Sequence, residues 1–395
     1  MTPKRLKDKP IHRWFVFPHS FTSELVHALI EEWNLTPHDR ILDPFVGAGT
    51  TLLAAKERGI PATGYDLLPL AVLTSKAKIT DYQIPRLVDL WHSIQKNLDI
   101  TQFSAASKLY PPLVEQALPG DIIRAFDGIA QAIKITPMLD DERNFFRLAL
   151  LSIIPQYSRA VANGGWLKWI KTEKKEDPVI ETYSARIEIM LDDLEKKSNN
   201  IKEPLWHAYE ADVRQLPEKD SIFTAVITSP PYPNRHDYTR IFGVEIMFGF
   251  LDWEETRQLR YQSFHSHPEA RPLRENTEGY SQPERLTQIL DNLKKKGMIR
   301  RILSMLEGYF LDMYLSLREV KRVCRGGARI AFVVGNAQYL GEPVPVDELT
   351  AEVGEQTGLL CEKIIAVRFR GNSAQQMGKY GRIPSRESIV VFKKI

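Results

Sequence analysis

The stretch Arg40-Ile41-Leu42-Asp43-Pro44-Phe45-Val46-Gly47-Ala48-Gly49-Thr50-Thr51 constrains the fold more than any other part of the chain. A short apolar strand runs into a turn with two glycines. The Leu- and Ala-rich run Thr51 to Arg58, closed by Gly59, then reads as a helix. A second strand, Pro61 to Tyr65, ends at Asp66. Strand, glycine-rich turn, helix, strand, acid is the first half of a nucleotide-binding α/β domain. Gly47 and Gly49 let the backbone approach a ligand closely, and the helix aims its free N–H groups into the same space. The dinucleotide fingerprint is not matched, because Leu52 stands where a third glycine is required, and no Gly-Lys-Ser/Thr follows to grip phosphate.

Acids recur at strand ends instead. Asp43 favours a cationic ligand group nearby, and Asp66 is placed to accept hydrogen bonds from ribose hydroxyls. Asp212, after a third strand from Trp206 to Tyr209, is placed for an adenine amino group. S-adenosylmethionine has a ribose and an amino group but no phosphate, and it meets that description.

Farther along, regular alternation stops. From Ser75 to Ile201 the periodicity is mostly helical (Arg86 to Leu98, Gly120 to Ile135, Asp141 to Ile154, Glu181 to Lys197), which predicts an inserted helical region. Strands resume at Trp206 and at Phe223 to Thr228. A smaller insertion of mixed character precedes a long helix from Ile299 to Val323. Arg325-Gly326-Gly327 reads as a turn into the apolar strand Ala328 to Val334, and Glu362 to Phe369 and Glu387 to Phe392 read as two strands pairing antiparallel at a sheet edge. The expected fold class is α/β, with about seven strands in a mostly parallel sheet, an antiparallel C-terminal strand and a helical insertion. The expected division is residues 1–80, a helical insertion at 81–203, and 204–395 with a smaller insertion at 233–298.

Ser229-Pro230-Pro231-Tyr232 directly follows the apolar strand Ala225-Val226-Ile227 and so sits at a strand's carboxyl end, where open α/β sheets bind ligands. Two prolines have fixed φ and no N–H. The local backbone is stiff and offers carbonyl acceptors, and Ser229 adds a hydroxyl that accepts as well as donates. Such a pocket suits an exocyclic amine, whose two N–H bonds need partners. Tyr232 adds a flat face on which an extruded base stacks, worth about 1–3 kcal/mol.

Asp-Pro-Phe-Val-Gly-Ala-Gly-Thr-Thr followed later by Thr-Ser-Pro-Pro-Tyr resembles the S-adenosylmethionine-dependent DNA amino-methyltransferases, the N4-cytosine and N6-adenine enzymes of restriction–modification systems. The resemblance covers the sheet core, residues 15 to 80 and 205 to 240 with the last strands. It implies a Rossmann-like methyltransferase fold and a cofactor site at Asp43, Pro44, Phe45, Gly47, Ala48, Gly49, Thr50 and Thr51, with Asp66 and Leu67 at the ribose and Asp212 and Val213 near the adenine. Ser229, Pro230, Pro231 and Tyr232 carry the target amine by the same analogy. Phe17-Pro18-His19-Ser20-Phe21 looks like the family segment that completes the methionine pocket, with Ser20 and Phe21 at the cofactor. Serine at the first catalytic position is more typical of the N4-cytosine enzymes. Adenine N6 methylation, methylation of an RNA base and a catalytically idle cofactor-binding subunit stay open as alternatives. Double-stranded DNA is the implied partner, and a separately encoded cognate restriction endonuclease goes with such systems.

Charge refines the DNA expectation. With 53 basic and 50 acidic residues the net charge is only +3, so nucleic acid must meet local basic surfaces rather than a blanket polycation. Lys168 to Lys175, Lys294 to Arg301 and Arg368 to Arg386 are such clusters. Individual DNA-contact expectations fall on Arg235, His236, Asp237, Tyr238 and Arg240, in a loop after the catalytic segment, and on Arg370, Asn372 and Arg382 between the last two strands. His265 and His267 lack partner acids arranged for a metal, and Cys324 and Cys361 read as packing residues, so no metal is expected. No apolar run approaches the roughly 20 residues needed to cross a bilayer. The basic start lacks the apolar stretch of a signal peptide, and the expected compartment is the cytoplasm.

Overall fold

The computed structural model describes residues 3–18, 20–101, 109–163, 166–171, 177–196, 205–272, 277–370, 378, 381 and 385–395. Seven strands build one sheet: β1 (Ile41–Asp43), β2 (Ala62–Asp66), β3 (Trp206–Glu210), β4 (Phe223–Thr228), β5 (Cys324–Gly335), β6 (Leu359–Arg370) and β7 (Ser385–Lys394). Their order is β6-β7-β5-β4-β1-β2-β3. From β3 through β5 all neighbours are parallel, and β7 runs antiparallel to both of its neighbours. This is the Rossmann-like methyltransferase fold that the sequence predicts. As expected, the last two strands pair antiparallel at one edge of the sheet, with β7 between β5 and the outermost β6.

Strand alternation divides the core into two layers. On one face Ile41, Ala225, Ile227, Val333 and Val391 pack against Val26 and Leu29 of the helix Ser23–Glu32 and against Leu52 and Ala55 of the helix Thr50–Glu57. On the other, Leu42, Val226, Ile330, Phe332 and Val390 meet Met305, Tyr309, Met313 and Val320 of the helix Arg300–Val323. The residues predicted as a turn at 325–327 are instead a bulge within β5. Phe223 pairs with Cys324 but Ala225 with Arg329, and Gly327 takes the extra length at φ 84°.

The long helical region does not stand apart. Helices Ile84–Thr101, Asp121–Ile135, Asp140–Tyr157 and Val179–Glu195 share one apolar core with the helix Pro69–Ile79, with Trp14, Phe15 and Phe17, and with the helix Gly243–Gly249. A short hairpin, Ala160–Asn163 with Trp166–Trp169, interrupts it, and no sequence signal announced that hairpin.

What places a site is the reversal of chain direction beside β1. The chain builds outward through β2 and β3, then returns so that β4 lies on the other side of β1, with Ile41 opposite both Ala62 and Ala225. The carboxyl ends of β1 and β4 therefore emerge side by side at a topological switch point, where open α/β sheets form their ligand crevice.

Candidate active site

The turn after β1 is held by glycines at specific points. Gly47 and Gly49 have φ of 47° and 75°, the left-handed region where L side chains are strained. A Cβ on Gly49 would lie 2.9 Å from Ser75 Oγ and 3.1 Å from Ser75 Cα, so the turn also presses on the next helix. Gly64, in the middle of β2, is tighter still: a Cβ there would meet Val46 Cγ2 at 2.5 Å and Leu52 Cδ1 at 2.9 Å. Val46 N–H in turn donates to the Tyr65 carbonyl at 2.8 Å. The turn is thus pulled down onto β2. The buried Lys78 fastens it from the other side, donating to the carbonyls of Ala48 at 2.9 Å and Phe15 at 2.7 Å. Burial pushes its pKa down to about 7.

Each predicted acid has a defined environment. Asp66 ends β2 and accepts from Gly47 N–H at 2.9 Å and from Leu68 N–H at 3.0 Å. Burial pushes its pKa up to about 6, against the opposing effect of those bonds. Asp43 is buried, and its Oδ1 accepts from Thr228 Oγ1 at 2.6 Å and from Phe45 N–H at 3.2 Å. It too is pushed up to about 6, chiefly by burial. Asp212 is gripped by Arg214, whose Nε donates to Oδ1 at 2.9 Å, while Arg214 also reaches the fully buried Asp312 at 3.3 Å.

Two adjoining hollows open at this rim. They share Phe45, Asp66, Leu68, Pro231 and Tyr238. The first is lined by Phe17, Ser20, Phe21, Gly47, Ala48 and Thr50 on one side and by Ser229, Pro230 and Tyr232 on the other. The second adds Pro44, Leu67, Asp212, Val213, Leu259 and Phe264. Three predicted cofactor residues are not on these walls. Asp43 is turned inward to tie β1 to β4, Gly49 lies beneath the turn, and Thr51 Oγ1 donates to the Ile227 carbonyl at 3.1 Å. Their contribution here is to hold the rim together.

Ser229 Oγ donates to the Val333 carbonyl on β5 at 3.0 Å. Its proton is thereby committed to the protein, and its lone pairs remain for the cavity. Tyr232 lies against Gly335, where a Cβ would come within 2.8 Å of the ring, and its Oη donates to Glu387 at 3.1 Å. Neither Gly335 nor Glu387 was signalled by sequence.

In the loop after the catalytic segment, Tyr238 belongs to the cavity wall beside Asp66, stacked on Phe242 at 6.4 Å. Asp237 is buried and pairs with Arg260 at 2.9 Å and Arg240 at 3.3 Å, and Arg240 also pairs with Glu269. These two residues belong to one ion network, with Asp237 buried and Arg240 partly exposed. Arg235 is exposed, with its guanidinium 5.9 Å from the Tyr339 ring, and His236 is partly exposed. Arg370 ends β6 on the same rim, whereas Asn372 and Arg382 lie outside the described residues. His265 bonds Asp312 at 2.8 Å and His267 bonds Ser263 at 2.8 Å. Among the described residues no cluster of His, Cys, Asp and Glu is arranged to hold a metal ion, and no helix is long and apolar enough to cross a membrane.

Comparison with known proteins agrees with this geometry. A family model described as DNA methylase matches residues 2–76, the segment that contains the cavity's first wall. The type II methyltransferase M.BsoBI of Geobacillus stearothermophilus is 30% identical over 98% of this chain and 86% of its own length. M.AvaI of Nostoc sp. is 29% identical over 98% and 87%, and M.MvaI of Kocuria varians 22% over 87% and 80%. Full-length similarity of that degree, joined to strand order and a shared rim for the two motifs, makes the chain a member of the S-adenosylmethionine-dependent DNA amino-methyltransferases of restriction–modification systems.

Proposed function

We propose that the chain methylates the exocyclic N4 amine of a cytosine swung out of double-stranded DNA. It is a DNA methyltransferase with S-adenosylmethionine as cofactor, and the choice of base and the residue roles are the proposal. The cavity fits that cofactor. Acceptors at Asp66 suit ribose hydroxyls, and the hollow lined by Phe45, Phe264, Asp212 and Val213 suits an adenine. The wall of Phe17, Ser20, Phe21 and the Gly47–Thr50 turn suits the amino-acid end. When bound, the cofactor supplies a sulfonium methyl whose bond to sulfur breaks as a bond to nitrogen forms.

Ser229 is the observation that carries the reading. Its hydroxyl faces the cavity as an acceptor, and the neighbouring prolines bring no competing N–H donors. An amine held there points its lone pair at the methyl group. Each hydrogen bond contributes only about 1 kcal/mol net, so alignment supplies more of the rate than binding strength does. Tyr232 offers its ring to the extruded base. The helical region 81–203 stands in the chain between the cofactor turn and the catalytic segment, an order that permits a target-recognition region there.

Expression in a methylation-free host followed by modification mapping tests the reading. N4-methylcytosine in one sequence context is expected, and N6-methyladenine would overturn the choice of base while leaving the family intact.

Asp66 yields a pH prediction. Its carboxyl is held near 6 by burial, so it is an ionised acceptor above that pH and protonated below it. Affinity for S-adenosylmethionine, measured by equilibrium dialysis, should therefore fall as pH drops through about 6. Asp66→Asn should weaken binding about tenfold at neutral pH and lose most of that slope. A wild-type affinity indifferent to pH across this range would remove Asp66 from the ribose.

A further inference from the structure

A row of residues crossing three strands lies behind the proposed base-stacking tyrosine. Gly335 at the end of β5 pairs with Glu387 on β7, and Glu387 pairs with Arg368 on β6. The Tyr232 ring rests on Gly335, closely enough that a Cβ there would collide with it. Its Oη donates to Glu387 Oε1 at 3.1 Å. Arg368 donates to the other oxygen, Oε2, from Nε at 3.0 Å and from Nη2 at 2.9 Å. Each carboxylate oxygen thus has its own partner, and at 8% exposure Glu387 has little freedom to turn outward. Ser229 Oγ lies 3.5 Å from Tyr232 Oη, so the row reaches the proposed amine acceptor.

We propose that Glu387, clamped by Arg368, is a positioning residue for methyl transfer: it fixes the plane of Tyr232 and so the orientation in which the target base stacks beside Ser229. The inference rests on the roles given to Ser229 and Tyr232 above. An O–H···O⁻ bond inside a pocket is stronger and more directional than a neutral one. Without it the ring retains its area but loses its fixed orientation, and the amine meets the methyl group in line less often. Burial first, and the Glu387 charge second, hold the phenol well above its ordinary pKa, so Tyr232 stays a donor across the working pH range. Gly335 is required by the same arrangement, because any side chain there would lift the ring from the strand.

The test is a double-mutant cycle on kcat, measured with labelled S-adenosylmethionine and DNA from a methylation-free host. Glu387→Ala and Tyr232→Phe should each lower kcat about tenfold while KM for the cofactor changes less than about twofold, as expected for losing one charge-assisted bond. The double variant should be no slower than either single one, because both remove the same bond. Glu387→Gln, whose amide oxygen still accepts from Tyr232, should recover part of the rate. Losses that multiply in the double variant, or full activity in Glu387→Ala, overturn the inference. If Glu387→Ala does not fold, Tyr232→Phe decides: a tenfold loss supports the bond's role, and wild-type kcat overturns it. Tyr232→Ala separates this from the broader reading. A slow Tyr232→Ala beside a normal Glu387→Ala sinks only the positioning role, whereas a normal Tyr232→Ala sinks the role of Tyr232 itself.

Discussion

Ser229→Ala and Tyr232→Ala are expected to slow methyl transfer by about a hundredfold or more while S-adenosylmethionine binds within about twofold of wild type, as is usual when a preorganised contact to the reacting group is removed. Ser229 is the proposed acceptor for the amine, and alanine leaves no lone pair at that point. Tyr232→Ala removes the stacking face and opens space above Gly335, so the extruded base gains orientations in which its amine misses the methyl group. Both residues share a hollow with the proposed cofactor wall. Single-turnover rates and equilibrium dialysis must therefore be measured on the same preparations. Ser229→Ala also leaves the Val333 carbonyl without its donor, and thermal melting separates that stability cost from the chemical one. Loss of cofactor affinity as large as the loss of rate, in both variants, would remove these residues from the transfer step.

Local pattern made half of this site legible. The turn from Asp43 to Thr51, Asp66 at the end of the next strand and Ser229 to Tyr232 after β4 each depend on residues within one strand-and-turn unit, where a change of hydrophobic period marks the strand end. Contacts that depend on strand register could not be read in that way. Gly335, Glu387 and Arg368 come from three strands and become neighbours only because β7 inserts antiparallel between β5 and β6. Ion pairs made across the chain are hidden for a related reason. Asp237 and Arg240 directly follow the catalytic segment, and their partners Arg260 and Glu269 are brought back by the helix Trp253–Gln262 and the turn after it. Tyr238, in the same loop, lines the hollow with Asp66. The hairpin Ala160–Trp169 escaped because four-residue strands carry too few periods to stand out between helices.

Gly64 shows how a site depends on a residue that touches no ligand, and Gly64→Val should be among the most damaging substitutions in the chain. A strand glycine ordinarily gives way to valine at a gain, since valine favours the strand backbone. Here a Cβ would stand 2.5 Å from Val46 Cγ2 and 2.9 Å from Leu52 Cδ1, closer than atoms approach. Val46 is in the middle of the proposed cofactor turn and Leu52 in the helix that follows it, so relief requires lifting both from the sheet. The lift breaks the Val46 N–H bond to Tyr65 and draws Gly47 N–H away from Asp66. Overpacking of this kind costs about 1–3 kcal/mol, and γ-methyls add to it. We expect a lowered Tm and S-adenosylmethionine affinity reduced at least about tenfold, because a shift of about 1 Å at the turn mispositions its N–H groups. Gly128→Ala supplies the contrast: that glycine is inside the helix Asp121–Ile135, and a Cβ there meets nothing within 4 Å. Helix propensity alone should then raise stability by about 0.5–1 kcal/mol with the cofactor affinity untouched. A Gly64→Val protein that melts and binds like wild type would mean that the turn is not held against β2, and the description of the cofactor wall would fall with it.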